Sequence, residues 1–368
     1  MTTTTRRRFL RAAGFGLSAA ALSRASRAVA QTPSSPAIVD WHAHWVGPRV
    51  VERLAGRASP RPPQGNGWYD VDARLRDMDA NDVRRQVLAW VGGAFDGALP
   101  PDEARPLWRA QNDDLAALVR AHPSRFSALA SLPTANVAWA AEELERAHGE
   151  LGLIGAVLPL DAFVSLAGAR ALAPIFAVAQ KHRSHLFVHR GAAGADVPGQ
   201  QPETGAVNPY FGLPAPGRGQ TLPGDNAQAR ALLATATHLA SGVITLAFTD
   251  LLDAYPDVTV QVAMMGGAIS YVTEHVQMAA EEAGSPLTAK QLKRVYFDTG
   301  QSGRAPRGIA LAAKVFGADR ILFGTDSGPV AAIGPTIASV KQAQITDAEK
   351  EMVFSGNARR LLSARGIT

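Results

Sequence analysis

The sequence contains no cysteine among its 368 residues. This absence excludes disulfide bonds and every metal site that uses thiolate ligands. The sequence also lacks an uncharged apolar run of about 18 residues, the length that a membrane-spanning helix needs. Any metal must therefore be bound by histidine and carboxylate side chains, and we expect no membrane-spanning helix.

Basic residues are in excess only at the amino end of the chain. Residues 1–30 contain six of the 37 Lys and Arg and no Asp or Glu, so residues 31–368 carry 31 basic and 32 acidic residues. The pI of 9.7 therefore reflects the first thirty residues. The rest of the chain has no basic surplus of the kind that binds nucleic acid, and we expect no nucleic-acid partner.

The first thirty residues have the order of an export signal. The run TRRRFLR at 5–11 resembles the twin-arginine motif, a short apolar stretch follows, and AVA at 28–30 has the A-x-A form of a cleavage site. A basic amphipathic helix on a membrane surface is the alternative interpretation. The order predicts a twin-arginine signal peptide at 1–30, a Pro-rich linker at 31–36 and a domain at 37–368. It also predicts export to the periplasm in folded form, with no stable membrane anchor after cleavage.

After residue 36, short apolar runs alternate with helical patterns, which is typical of parallel sheets built from βα units. We expect strands near 37–41, 85–91, 126–131, 153–158, 185–189, 258–264, 294–298 and 320–324. Helices are expected near 70–82, 102–121, 136–149, 168–182, 226–240, 242–255, 267–283, 306–316 and 346–363. Eight strands, with no glycine-rich phosphate motif after the first, favour one α/β domain with a (β/α)8 TIM-barrel fold over an open doubly wound sheet.

Two long segments, 45–69 and 190–224, follow the first and the fifth expected strands. Both leave from the carboxyl ends of strands, where barrel enzymes place their active sites. Structureless loops of this length in a compact domain are more often functional lids than surface decoration. We therefore expect two long βα loops beside a functional site.

Metal-ligand residue types stand at the ends of three expected strands. His42 and His44 lie two positions apart, so that their side chains point to the same face of a strand. His189 ends the fifth strand, and Asp326 follows the eighth. In a closed barrel these four side chains meet at one rim, and three imidazoles with one carboxylate suit Zn²⁺ and are acceptable to Mn²⁺ or Fe²⁺.

Several short motifs together resemble one protein family. They are VDWHAH at 39–44, RLRDMD at 74–79, HPSRF at 122–126, LFGTD at 322–326 and NARRLL at 357–362. Their combination is similar to the amidohydrolase superfamily, in the amidohydrolase-related branch typified by aminocarboxymuconate-semialdehyde decarboxylase. The resemblance runs over about 37–363 and implies a TIM barrel with one divalent metal bound by His42, His44, His189 and Asp326.

The chain departs from this family at one position. The resemblance implies a catalytic histidine at the end of strand six, in an A-H-x-G-G run, but the run here is AMMGG at 263–267, with Met264 in that place. A thioether cannot carry a proton. Asp326 or Asp298 is therefore expected to act as the catalytic acid/base, unless the metal-bound chemistry needs no such shuttle or catalysis has been lost.

The resemblance implies an enzyme acting on small carboxylated molecules. We expect a metal-dependent hydrolase of an aromatic or unsaturated acid that uses metal-activated water, because the missing histidine is the feature closest to the decarboxylase pattern. A non-oxidative decarboxylase of a similar acid is the first alternative, and a non-catalytic periplasmic binding protein is the second.

The first long segment contains candidate substrate ligands. Arg53 and Arg57 can each pair with a carboxylate through two hydrogen bonds, and the alternative for each is a solvated helix face. Zn²⁺ is the expected cofactor, with Mn²⁺ as the next choice. Relatives in this branch are often dimers, which leaves a homodimer open for this chain.

Overall fold

Parallel strands form the centre of the fold in this computed structural model, which describes residues 37–55, 68–90, 101–191, 193–194, 197, 227–287, 290–328 and 333–367. Residues Ser35–Thr368 form one compact unit. The expected signal peptide at 1–30 and linker at 31–36 lie outside the described residues. So do parts of both long loops, including Arg57.

The described strands follow the expected order. They are β1 Ile38–His44, β2 Val83–Ala89, β3 Phe126–Ala128, β4 Ala130–Ser131, β5 Gly155–Pro159, β6 His185–His189, β7 Thr259–Val262, β8 Val295–Asp298 and β9 Ile321–Leu322. Neighbouring strands pair in parallel in two sheets, β1-β2-β3 and β4 through β9. The expected strand at 126–131 is divided at Leu129, so that the eight expected strands become nine. The α/β class with a parallel sheet is confirmed.

The ladder of described strands is not closed, which differs from the expectation of a closed barrel. β9 contains only two residues, and beyond it the amides of Thr325 and Asp326 both donate to the His42 carbonyl, at 3.2 and 2.8 Å. The amide of Thr325 donates to Asp40 Oδ1 at 3.0 Å, and Asp326 has a left-handed φ of 59°. Contact with β1 continues through the Trp41 amide, which donates to the Phe323 carbonyl at 2.8 Å, and through one isolated bridge, Ala43–Ser327.

The helices lie between the strands in sequence. They are α1 Pro48–Leu54, α2 Val71–Ala80, α3 Pro101–Ala121, α4 Val137–Gly149, α5 Leu166–Ala171, α6 Ala173–His182, α7 Ala227–Ala247, α8 Ile269–Glu282, α9 Pro306–Phe316, α10 Ile333–Gln342, α11 Asp347–Glu351 and α12 Asn357–Ser363. Polar side chains begin several of them: Asp70 and Asn136 accept from main-chain amides at the starts of α2 and α4, and Thr346 and Glu349 form a capping box at α11. None of the described helices is long and apolar enough to span a membrane.

The prediction of a separate helix at 242–255 is wrong. Helix α7 continues through this point to Ala247, and Gly242 lies inside it. A Cβ at Gly242 would lie 2.7 Å from Leu160 Cδ1. The glycine therefore allows α7 to approach the turn after β5 closely, instead of ending a helix. Helices α1 and α10 were not predicted; α1 occupies part of the first long loop.

Candidate metal centre

Four side chains converge where β1, β6 and β9 end. His42 and His44 are in the last three residues of β1, His189 ends β6 and Asp326 follows β9. Each offers one ligand atom, these atoms all lie within 4.8 Å of one another, and all four residues are buried. The structure thus brings together the complete set of predicted metal ligands.

The nitrogen atoms that face inward are the Nε2 atoms. His42 Nε2 lies 3.1 Å from His44 Nε2. Asp326 Oδ1 lies 2.9 Å from His44 Nε2 and 3.4 Å from His42 Nε2. The ring of His189 makes edge contacts with both other rings, with centroids 5.1 and 5.0 Å apart.

The other nitrogen of each ring is bound to an acceptor outside the cluster. His42 Nδ1 lies 2.8 Å from Asp298 Oδ1, His44 Nδ1 lies 3.2 Å from the Ala89 carbonyl, and His189 Nδ1 lies 3.0 Å from the Arg190 carbonyl. A carbonyl can only accept, so His44 and His189 must carry their proton on Nδ1. Each neutral ring then presents an unprotonated Nε2 to the centre, as ligating histidines usually do.

These residues fit a divalent cation. When His42 is neutral, as a ligating histidine must be, the lone pairs of His42 Nε2 and His44 Nε2 point at each other across 3.1 Å. The buried Nε2 of His189 has no hydrogen-bond partner among the described residues. A buried polar atom without a partner is costly. A cation bound by the three nitrogens and the Asp326 carboxylate would satisfy all four groups at once.

The electrostatics of the cluster favour positive charge. Burial disfavours the charged form of His42, but the Asp298 and Asp326 carboxylates outweigh it and raise the pKa of His42 to about 10. Burial would raise the pKa of Asp326, yet the two rings of β1 hold it well below its usual range. Burial and the neighbouring rings lower the pKa of His189. Without a metal the centre therefore keeps Asp326 ionised and His42 protonated, and a bound divalent cation would replace the His42 Nε2 proton.

Asp298 lies behind His42 and is saturated with hydrogen bonds. Its Oδ1 accepts from His42 Nδ1 at 2.8 Å, from the Gly300 amide at 2.8 Å and from the Met264 amide at 3.2 Å. Its Oδ2 accepts from Gln261 Nε2 at 2.6 Å. This placement suits a residue that orients a metal ligand better than one that transfers protons.

The opposite side of β1 is fixed by a second buried network. Asp40 accepts from Gln86 Nε2 at 2.8 Å and from Thr325 Oγ1 at 2.7 Å, and burial raises the pKa of Asp40 to about 6 despite these bonds. The buried guanidinium of Arg74 donates to Gln86 and to the His44 carbonyl. Both histidines of β1 are thus held at their main chain as well as at their rings.

The structure places the remaining predicted site residues as follows. Met264 is buried in a short 3₁₀ turn after β7, with a left-handed φ of 54°. Arg53 lies in the last turn of α1 with an exposed side chain, and Arg57 lies outside the described residues. A carboxylate-binding role for either arginine therefore stays a prediction.

Several residues of the site were not singled out from the sequence. They are Gln261 and Trp68, whose ring stacks on that of His44 at 5.9 Å with an interplanar angle of 27°, and the carbonyls of Ala89 and Arg190. Gln261 gave one usable signal, because it is a polar residue inside the apolar strand β7. Main-chain carbonyls give no sequence signal at all.

Comparisons with known proteins agree with this geometry. The sequence profile of the amidohydrolase family matches residues 39–363. Gamma-resorcylate decarboxylase of Rhizobium radiobacter is 25% identical over 345 residues, which cover 88% of this chain and 97% of that protein. The 2-amino-3-carboxymuconate-6-semialdehyde decarboxylase of Dictyostelium discoideum is 33% identical over 129 residues, but that match spans only 35% of this chain and 36% of that protein.

A solved structure shows the same fold. It is that of a dihydroxybenzoic acid decarboxylase from Polaromonas sp. JS666, with bound manganese and the inhibitor 2-nitroresorcinol. The TM-score is 0.64 at 21% sequence identity, and the match covers 89% of this chain and 96% of that chain. The profile match extends over nearly the whole described domain, so the family does not depend on the motifs alone. The chain therefore belongs to the amidohydrolase family, in the branch that contains the gamma-resorcylate and aminocarboxymuconate-semialdehyde decarboxylases.

Proposed function

We propose that this protein is a metal-dependent, non-oxidative decarboxylase of a small phenolic or unsaturated carboxylic acid. The observation that carries the proposal is the buried cluster of four candidate ligands. It lies in a chain that matches a gamma-resorcylate decarboxylase over 97% of the length of that protein. The decarboxylase names of the relatives support this reaction better than the hydrolysis that the sequence led us to expect. Hydrolysis becomes an outcome that the experiment below can detect.

A divalent cation held by His42, His44, His189 and Asp326 would bind a substrate carboxylate and withdraw electrons from it. The donor set alone favours Zn²⁺, whereas the Polaromonas relative holds manganese, so both ions enter the test. The Trp68 ring beside His44 offers an apolar face for a planar substrate.

Asp326 is the better placed of the two candidate proton carriers. Its side chain is slightly exposed and contacts the rings of His42 and His44 through Oδ1, whereas both oxygens of Asp298 are occupied by hydrogen bonds. We assign to Asp326 the transfer of a proton, taken from substrate or solvent, to the carbon that loses CO₂. The C–C bond to the carboxylate breaks, its electron pair stays on that carbon, and the proton forms the new C–H bond. Asp298 is assigned the orientation of His42.

The test is turnover of gamma-resorcylate labelled with ¹³C in its carboxyl group, by protein loaded with Mn²⁺ or with Zn²⁺. Labelled CO₂ and a ring product that takes one deuteron from D₂O would support the proposal. A parallel panel of esters and amides in ¹⁸O-labelled water detects hydrolysis. Incorporation of ¹⁸O into the product of an ester or amide, without CO₂ release from gamma-resorcylate, would overturn the decarboxylase in favour of a hydrolase. Thermal stabilisation by gamma-resorcylate with no turnover of either kind would support a binding protein.

Two further expectations concern export and the oligomeric state. We propose export through the twin-arginine pathway, supported by the order of the segments in residues 1–30. Replacement of Arg6 and Arg7 by lysine should keep the protein in the cytoplasm. A homodimer stays a prediction that sedimentation of the purified protein tests.

A further inference from the structure

A chain of hydrogen bonds leads away from Asp298 through the interior of the sheet. Gln261 Nε2 donates to Asp298 Oδ2 at 2.6 Å, and Gln261 Oε1 lies 3.1 Å from His185 Nε2. His185 Nδ1 lies 2.9 Å from Thr259 Oγ1, which accepts from Arg365 Nη2 at 2.7 Å. Asp298, Gln261 and His185 are fully buried.

The chemistry of its ends sets the direction of this chain. The Asp298 carboxylate only accepts, so Gln261 must turn its NH₂ group toward it and its oxygen toward His185. His185 must then donate from Nε2. Burial, assisted by the charge of Arg365, lowers the pKa of His185 to about 3, so the ring is neutral and its Nδ1 accepts. The Thr259 hydroxyl donates to this nitrogen, and the Arg365 guanidinium donates to the hydroxyl oxygen.

Every donor in the chain therefore points toward Asp298. Hydrogen bonds aligned in one direction polarise one another, most strongly where water is excluded. This series of hydrogen bonds begins at the Arg365 guanidinium and ends at the Asp298 carboxylate, which also accepts from His42 Nδ1 at 2.8 Å. An oriented carboxylate behind a ligating histidine fixes the ring and its tautomer, and makes Nε2 a stronger donor to a metal.

This series of hydrogen bonds also joins distant parts of the fold. Thr259 and His185 begin β7 and β6, whereas Asp298 ends β8. Arg365 follows α12, close to the carboxyl terminus. The path therefore runs from the amino ends of the strands to the carboxyl ends, where the metal ligands lie.

We propose that Gln261, His185, Thr259 and Arg365 form a positioning network that sets the affinity of the centre for its metal through Asp298 and His42. This inference rests on the proposed metal-dependent function. It goes beyond that function because it assigns a role to four residues that neither contact the centre nor belong to the ligand set.

Two variants break the network with little change of shape. Thr259→Val removes the hydroxyl, and Gln261→Leu removes the donor to Asp298. Loss of such an outer partner typically weakens metal binding by about 10–100-fold. We expect Gln261→Leu to weaken metal binding within this range, and Thr259→Val to weaken it by an amount in the lower part of the range. Thr259→Ser should bind metal nearly as tightly as the parent, because serine restores the hydroxyl.

His148→Gln is the matched control. His148 is half-buried, and its pKa is also lowered to about 4, by burial first and then by His182 and Arg365. Its Nε2, however, bonds to Ser184 Oγ at 2.6 Å, and among the described residues its side chain makes no hydrogen bond to the four network residues. We expect this variant to lose thermal stability with no change in metal affinity.

The measurement is the Kd of metal-free full-length protein for Mn²⁺ and for Zn²⁺, by competition with a chelating indicator. Thermal unfolding of the metal-free proteins is measured alongside, and ¹⁵N NMR of the histidine rings reports the tautomer of His185. Weaker binding in Thr259→Val and Gln261→Leu, recovery in Thr259→Ser and an Nε2–H tautomer support the network. Equal Kd values in parent and variants, or an Nδ1–H tautomer, overturn it while the metal site stands. A parent that binds neither ion overturns the proposed function and the network together.

Discussion

The main-chain amide of Met264 donates a hydrogen bond to Oδ1 of Asp298 at 3.2 Å. The same oxygen accepts from His42 Nδ1, so the position at which the family resemblance implies a catalytic histidine is fixed to the carboxylate that is bonded to the proposed metal ligand His42. The φ of Met264 is 54°, a left-handed conformation that few residues adopt without cost. The main chain at this position is thus held beside the centre although the side chain cannot transfer protons.

We predict that Met264→His raises the rate of decarboxylation. A positioned acid/base contributes about 10²–10⁴-fold, and histidine is among the residues enriched at positive φ. An increase in kcat of about tenfold or more over the parent is therefore expected, measured as CO₂ release by metal-loaded protein.

Met265→His is the control for this substitution. Met265 is also buried and also has a positive φ, of 58°, but the hydrogen bond to Asp298 belongs to residue 264. We expect no gain from histidine at 265. A gain of equal size in both variants would show that the effect does not come from the position of the family histidine.

Gly300 lies against the hydrogen bond between His42 and Asp298. A Cβ at this position would lie 2.5 Å from His42 Nδ1 and 2.7 Å from Asp298 Oδ1, and neither group can move without loss of the bond between them. We predict that Gly300→Ala weakens metal binding by about tenfold or more and lowers the free energy of unfolding by about 1–3 kcal/mol. Metal titration and urea unfolding of the same preparation measure the two effects.

Gly149→Ala is the matched glycine substitution. Gly149 ends α4, and a Cβ there would meet no heavy atom within 4 Å. Alanine in a helix is favoured over glycine by about 0.5–1 kcal/mol, so this variant should be as stable as the parent or slightly more stable, with the same metal affinity. Unchanged metal binding in Gly300→Ala would contradict the proposed role of the His42–Asp298 contact.

Metal binding should depend on each of the proposed ligands. His44→Ala and Asp326→Asn should each reduce the bound metal from about one equivalent to a small fraction, since each removes one of four ligand groups. Elemental analysis after dialysis measures this directly. His275→Ala removes an exposed histidine of α8 and should leave the metal content unchanged. Full occupancy in both ligand variants would refute the ligand set.

Much of the ligand arrangement could be predicted from the sequence because it depends on local rules. The two-residue spacing of His42 and His44 fixes their common face, and strand order brings His189 and Asp326 to the same edge of a parallel sheet. Proximity between residues of one strand, or between residues at the carboxyl ends of parallel strands, can be predicted without knowledge of side-chain packing. The amidohydrolase resemblance, now confirmed, depended on the same short motifs.

The rest depends on contacts between distant residues, which no local pattern contains. His185 and Gln261 are 76 positions apart, so the network between them is visible only in the folded chain. The irregular pairing after β9, where the amides of Thr325 and Asp326 both donate to the His42 carbonyl, likewise depends on residues far apart in sequence. The break expected between helices at 226–240 and 242–255 is absent from α7, and the close packing of Gly242 against Leu160 could not be seen in sequence.

The buried His185 makes the stability of the metal-free protein depend on pH. Its pKa is lowered to about 3 in the folded state, against about 6.5 in the unfolded chain. Between these values the unfolded state binds the additional proton, so stability rises with pH across this window and is lost as the pH falls below 6.5. From pH 7 to pH 5, this one group should lower the free energy of unfolding by about 2 kcal/mol.

Other groups also titrate between pH 5 and pH 7. The prediction therefore compares the loss of unfolding free energy in the parent with the loss in His185→Gln. Burial raises the pKa of Asp161 to about 6, and a carboxyl group with a raised pKa takes up a proton on folding and opposes the effect of His185. This contribution is present in the parent and in His185→Gln alike, and it cancels when their changes are subtracted. Urea unfolding of both metal-free proteins at pH 7 and pH 5 should show that the parent loses about 2 kcal/mol more than the variant. Equal losses would mean that His185 is not held neutral, and the direction assigned to its hydrogen bonds would then be wrong as well.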